Sequence, residues 1–545
     1  NYKKSIECYD KATKLNPKAQ NAWNNKGWSY SNLKNYKKAI ACYDKATEID
    51  DKYDLPWYNK GWSYENLKNY KKAIACYDKL TEIDPKNMGA WFRKGWSYEN
   101  LKNYKKSIEC YDKVTDIDPK DQDSWFRTGW SYHMLENYEE AIACYEKFTD
   151  INVKNDFVWY AMGMSYSNSG NYGSVEEAII CYDNSTKINP KNGNAWFRKA
   201  LAYETLVKRK EAIACYDKVI EINPKHEDTW HNKSKVHYEL GNYKEAIACC
   251  DKLIEINPKY ANAWFYKAMA YNSLKNYKQA IACYDKVTKI NPKYENAWIN
   301  KGLAYDSLKN YKKAIECYDK VTEINPKNMT VWVGKAVIYE NLKNYKQAIA
   351  CYDKVTEINP ESENSWYNKG LGYYHLGNYK QAIACYDKVT EINPKYENAW
   401  NDKGLAYLNH GNYKESIVCF DTEIKIDPNY AIPWHNKGLA YDSLKNYKQA
   451  IACYDKATEI DPKDGHGWSL KGISCFNLEN YEDTISCYDK AIELDVEDEF
   501  TWYYKGESYF YLKNYEKAIS CYDKANVELE TEDKETFYLI RKGVS

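Results

Sequence analysis

Apolar and polar positions follow a helical period in short blocks. In the stretch 295–328, Trp298, Gly302, Tyr305 and Leu308 are spaced four, three and three, and after the polar break at Lys309-Asn310 the spacing resumes with Ala314, Tyr318, Val321 and Ile324. At about 100° per residue each set falls on one face of a helix, so the block predicts two amphipathic helices, A and B, joined by a short turn. Pro326 ends helix B, because its ring and missing N–H cannot continue the ladder. The block recurs at Trp23, Trp57, Trp91, Trp125, Trp159, Trp196, Trp230, Trp264, Trp298, Trp332, Trp366, Trp400, Trp434, Trp468 and Trp502, every 34 residues except for one step of 37 after Trp159. A fixed period of this size marks one supersecondary unit copied along the chain, and such units bury their apolar faces only by stacking.

The period predicts one continuous array over 1–545: a lone helix B in 1–19, fifteen repeats in 20–530, and a helix A cut short in 531–545. The chain opens and closes inside a repeat without an initiator Met, so it is expected to be a segment of a longer protein. The three extra residues after Trp159 fall in 168–175 and predict a longer turn between helices A and B, or alternatively a contact loop. Pro is missing at Asp51, Val153 and Val496, which predicts looser turns there. The seventh repeat carries Lys235, His237 and Cys250 where apolar or aromatic residues are usual, and is expected to be the weakest point of the stack.

The Gly302 position holds only Gly, Ala or Ser in all fifteen copies, and the Ala314 position only Ala, Ser or Thr. Larger side chains at either would hold the helices apart. In this order Trp298, Gly302, Tyr305, Ala314, Tyr318, Val321 and Pro326 resemble the tetratricopeptide repeat family, and the resemblance covers essentially the whole chain. It implies an all-α fold, a right-handed superhelical solenoid of antiparallel helix pairs, whose concave groove grips partner peptides or segments. One departure stands out: where the family usually has a large aliphatic residue just before the small one, thirteen copies have Lys, such as Lys26, Lys301 and Lys403. The residue two after the repeated cysteine is acidic in every copy, from Asp10 and Asp44 to Asp523. A lysine there lays its stem on apolar surface, and the two charge ladders are expected to neutralise each other along the stack.

Lys plus Arg and Asp plus Glu both number 78, with the signs interspersed, so neither a nucleic-acid footprint nor a membrane patch is expected. No apolar run approaches the roughly 18 residues of a membrane span. Sixteen of the 18 cysteines hold one place in the repeat. Stacked equivalents lie at least a helix-packing distance apart, about 8 to 10 Å, too far for a disulfide. They read as reduced packing residues, which points weakly to the cytoplasm. Only Cys475, in place of the repeated Tyr, is placed to approach its partner Cys487. Phosphate loops, metal-spaced histidines and paired cysteine ligands are lacking, so the array is read as no enzyme, with no cofactor and no metal.

Residues one, five and eight after each repeat Trp and two before it form a second stripe on helix A, about 80° to 160° from the first. The first four repeats differ there. Trp28, Trp62, Trp96 and Trp130 stand five after the repeat Trp, with Tyr58, Phe92 and Phe126 one after it and Asn25, Asn59, Arg93 and Arg127 beside them. Later repeats have Leu303, Leu371, Leu405 and Leu439 in place of the second Trp. Aromatic residues with amide and guanidinium neighbours are the composition of a binding hot spot; alternatively, the extra tryptophans only thicken the core. The expected function is a scaffold or adaptor for protein or peptide partners. Fibres built by end-to-end self-association, or a recognition arm of an enzyme lying outside the segment, are the alternatives.

Overall fold

In a computed structural model the described residues, 1–170, 172–396, 398–496 and 498–525, fold into 31 helices and no strands. The expected helix A in 531–545 lies outside the described residues. Two compact units divide the chain, 1–290 and 291–545. Counting repeats by their tryptophans, the first unit holds a lone helix, Tyr2–Leu15, and repeats 1 to 8; the second begins with repeat 9 at helix Glu295–Ser307. Within each unit consecutive helices pack antiparallel, A against B and B against the next A.

Helix A ends in the same way in most repeats. In repeat 1, helix Gln20–Asn32 ends as Asn35 donates its N–H to the Tyr30 carbonyl at 2.9 Å and Lys34 donates to Ser31 at 2.8 Å. That double closure requires a left-handed residue between, and Lys34 has φ 59°. Asn35 then caps helix Tyr36–Ile49, its side chain accepting from the Lys38 N–H at 3.3 Å. Leu15 lies at the end of the lone helix, which has no helix A before it, and is 87% exposed, whereas the corresponding Ile49, whose helix pairs with Gln20–Asn32, is half-buried.

Helix B's tyrosine fills the space between paired helices and is fully buried at Tyr43, Tyr77 and Tyr386. A methyl placed on Gly27 would sit 2.5 Å from the Tyr43 ring, and one on Gly302 2.5 Å from Tyr318. Repeats 8 and 10 carry Ala268 and Ala336 at this position opposite Tyr284 and Tyr352, so a small ring shift admits one carbon. Seventeen cysteines are buried and Cys8 is exposed, and all are free. Burial pushes the Cys42 and Cys385 thiols up to about 11 and Cys76 to about 12. Cys475 and Cys487 are both buried and free, and their mutual interaction raises the thiol pKa of the first and lowers that of the second.

The two charge ladders meet as rungs between repeats. Lys60 Nζ lies 2.6 Å from Asp44 and Lys94 Nζ 2.7 Å from Asp78; in the second unit Lys369 is 2.7 Å from Asp353 and Lys403 2.7 Å from Asp387. Each lysine belongs to one repeat and each aspartate to the preceding helix B. The same ammonium groups stand over the repeat tryptophans, 4.7 Å from the Trp57 ring and 4.4 Å from Trp366. A rung is worth on the order of 0.5 to 1 kcal/mol for the half-exposed pair, with a similar share from the ring.

Two sequence expectations are corrected, and one is met. The extra residues of repeat 5 fall in helix B, which spans Tyr172–Ile188, 17 residues against 14 in Tyr138–Ile151. Helical backbone satisfies its own N–H and C=O groups, so adding turns to it costs less than a longer open loop. At Asp51 and Val153 the missing proline loosens nothing, because what holds the turn is a carbonyl. Trp57 and Trp159 donate their indole N–H to the Asp51 and Val153 carbonyls at 2.9 Å, as Trp298 does to Pro292 at 2.9 Å. At Val496 the turn does change: the preceding helix stops at Glu493 and Asp495 takes φ 63°.

Candidate functional site

In repeats 1 to 4 the second stripe of helix A is a wall of side chains held between neighbouring repeats. Trp28 is 48% exposed, and Trp62, Trp96 and Trp130 are half-buried. They are neither core nor free anchors, because the tyrosine opening the preceding helix B turns its edge to each. Tyr2 meets Trp28 at 5.6 Å, Tyr36 meets Trp62 at 6.0 Å and Tyr70 meets Trp96 at 5.8 Å, with interplanar angles of 77° to 82°. Trp130 instead stacks on His133 at 5.7 Å.

One residue after the repeat Trp, the rings pack inward on the core tyrosines: Tyr58 on Tyr77 at 6.1 Å, Phe92 on Tyr111 at 5.4 Å, Phe126 on Tyr145 at 5.9 Å. Phe126 also touches Phe157 at 5.4 Å. The polar members are engaged as well. Asn59 donates to Asn24 at 3.1 Å, and Asn24 donates to the exposed Asn25 at 3.4 Å. Arg93 reaches Glu65 at 3.2 Å, and Arg127 reaches Glu99 at 3.0 and 3.1 Å while its guanidinium stands 5.6 Å from the Phe92 ring centre.

The sequence reading placed the residue eight after each Trp on the stripe without assigning it a role, and missed the carboxylates there. Glu65, only 3% exposed at its side chain, also accepts from Ser97 at 3.1 Å, and Glu99 accepts from the Tyr111 hydroxyl at 2.9 Å. Burial raises the Glu65 pKa, and Arg93 opposes that shift. The position bridges repeats elsewhere too: Ser31 lies 3.0 Å from Ser63, His133 2.8 Å from Ser165, and in the second unit Ser474 donates to Asp442 at 2.7 Å. Burial lowers the His133 pKa. The signal available was an acid at Glu65 or Glu99 with an arginine 28 residues later, at Arg93 or Arg127.

A cavity of about 300 Å³ opens on this face, lined by residues of repeats 2 to 4 that include Tyr58, Phe92 and Arg93. Among the described residues no group of three or more His, Cys, Asp or Glu is arranged to hold a metal ion, and no helix is long and apolar enough to cross a membrane. What the stripe offers chemically is aromatic edges, amides and paired charges.

Antiparallel helix pairs repeated with tryptophan, small residue and tyrosine in fixed places define a helical-repeat protein. Family profiles described as tetratricopeptide repeat match 21–53, 55–87, 89–121, 295–328, 330–362, 364–396 and 431–464, and others of that description match 110–143, 158–192, 385–417 and 500–526. A profile described as TPR repeat matches 268–309. Together they cover more than half of the chain, which belongs to the tetratricopeptide repeat family. A profile for anaphase-promoting complex, cyclosome, subunit 3 matches 208–287. A search of curated proteins finds no match. Among solved structures, the chain is similar to Naa15/Naa10 bound to HypK-THB, at 16% identity over 100% of this chain and 94% of that one with a TM-score of 0.36. It is also similar to YrrB, described as a TPR protein with an unusual peptide-binding site, at 23% identity over 35% of this chain and 97% of that one with a TM-score of 0.32. Cut9-Hcn1 follows at 14% identity over 84% and 96%, with a TM-score of 0.28.

Proposed function

We propose that the chain is a non-catalytic scaffold that holds an extended segment of a partner protein along the helix A stripe, with repeats 1 to 4 as the principal contact. That the fifteen repeats run as one continuous array is part of the proposal, supported by the unchanged step from Trp264 to Trp298. The observation that carries the reading is the half-burial of Trp62 and Trp96. Their rings are held against Tyr36 and Tyr70 and remain part-exposed, so little entropy remains to be lost on binding. A peptide or protein partner fits this surface; the balanced charge, 78 of each sign, gives nucleic acid or an anionic membrane no footing.

The test is the double variant Trp62→Leu with Trp96→Leu. Leucine is what the chain itself places at Leu303 and Leu371, so the fold is expected to tolerate it. Helicity should stay at the wild-type level while captured partners are lost from a pull-down read by mass spectrometry. Loss of helicity would mean that these rings serve the core, and unchanged capture would place binding elsewhere.

A further inference from the structure

The groove cavity in repeats 2 to 4 has an unbalanced charge. Its apolar wall is made by Tyr58, Met88, Phe92 and Val114, and its rim by Asp121 and Asp123. Gly89 also lines it, beside the Tyr58 ring. The cationic lining residue, Arg93, is held by the buried Glu65 at 3.2 Å, so that pair is internally neutral. Asp121 accepts the Ser124 N–H at 2.8 Å as the cap of helix Gln122–Met134, and Asp123 lies in the first turn of that helix. Neither carboxylate forms an ion pair among the described residues. The positive end of the helix offsets about half a charge, which leaves the rim negative.

We propose that this cavity takes a lysine or arginine side chain from the segment lying in the groove. The inference rests on the groove reading above and names the partner's chemistry. The methylene stem packs on Met88, Val114 and the two rings, and the cationic head meets Asp121 and Asp123. Arg127, 5.6 Å from the Phe92 ring centre, already presents a cation to that ring within the protein. An acidic segment would face the carboxylates of the rim and find Arg93 taken.

The experiment pans a random twelve-residue phage library on the full chain and measures the selected peptides by fluorescence anisotropy. Expected are a basic residue at one fixed place beside apolar ones, and affinity about tenfold weaker in Asp121→Asn with Asp123→Asn or when that residue becomes norleucine. Asparagine still caps the helix, so circular dichroism should not change. Peptides that lose binding in Trp62→Leu with Trp96→Leu yet keep it in the Asp121 and Asp123 variant, or that carry acids instead, overturn the inference and leave the groove. Selection of no peptide, or equal binding to the tryptophan variant, overturns both.

Discussion

Repeat 4 lacks its rung, and restoring it is a quantitative test of what holds neighbouring repeats together. Thr128 stands where thirteen other repeats have lysine; it is 1% exposed and its hydroxyl has no hydrogen-bond partner. Opposite it Asp112, the counterpart of Asp44 and Asp78, has a raised pKa because burial, and then Asp116, disfavour its charge. Thr128→Lys should supply an ion pair worth about 0.5 to 1 kcal/mol, a contact with the Trp125 ring worth about 0.5 to 1 kcal/mol, and relief of a buried hydroxyl worth about 1 kcal/mol. Ordering the lysine costs up to about 2 kcal/mol, so the expected net gain is about 1 kcal/mol. Repeat arrays unfold piecewise, and hydrogen exchange at helices Tyr104–Ile117 and Gln122–Met134 is the suitable assay, with exchange slowed about fivefold. A carboxyl raised by folding contributes stability below the ordinary carboxylate pKa that is lost as pH rises through the folded value. The new lysine should lower the Asp112 pKa, so that its share is instead present at neutral pH and lost on acidification. The same protection gain in an Asp112→Asn background, or a loss, would refute the reasoning.

Three further outcomes are expected. Gly302→Ala should cost no more than about 1 kcal/mol in thermal unfolding, as Ala268 and Ala336 show the position admits one carbon, while Gly302→Leu, which would drive its side chain into the Tyr318 ring, should cost several times more. Lys102→Gly should stabilise its turn by about 0.5 to 1 kcal/mol in denaturant titration, because Lys102 holds φ 58° where Gly241, Gly377 and Gly411 serve other repeats. A thiol reagent at neutral pH should modify Cys8 rapidly and all 18 cysteines only after denaturation, since the other seventeen are buried.

The helix pairs were legible in the sequence because their determinants are local and repeated: a four-three-three apolar spacing, a small residue under a ring, and Asn as both closure and cap. The lysine ladder was legible too, its spacing to the acids being constant at sixteen residues, as in Lys94 and Asp78. Less so was the insertion in repeat 5, where Gly170 and Gly173 signal a loop yet packing on its neighbours extends helix Tyr172–Ile188. In the groove, the aromatic stripe could be read from one helical wheel. Its engagement could not, because Glu65 meets Arg93 and Tyr36 meets Trp62 only across repeats, where the stacking geometry decides which faces meet.

Hydrogen exchange of the full chain with and without a selected peptide tests most directly whether the helix A stripe of repeats 2 to 4 holds an extended segment. The account predicts added protection in helices Asp54–Asn66, Met88–Asn100 and Gln122–Met134, with little change in helix B at Tyr70–Ile83 or Tyr104–Ile117. Protection confined to the B helices, or to repeats 9 to 15, would contradict it.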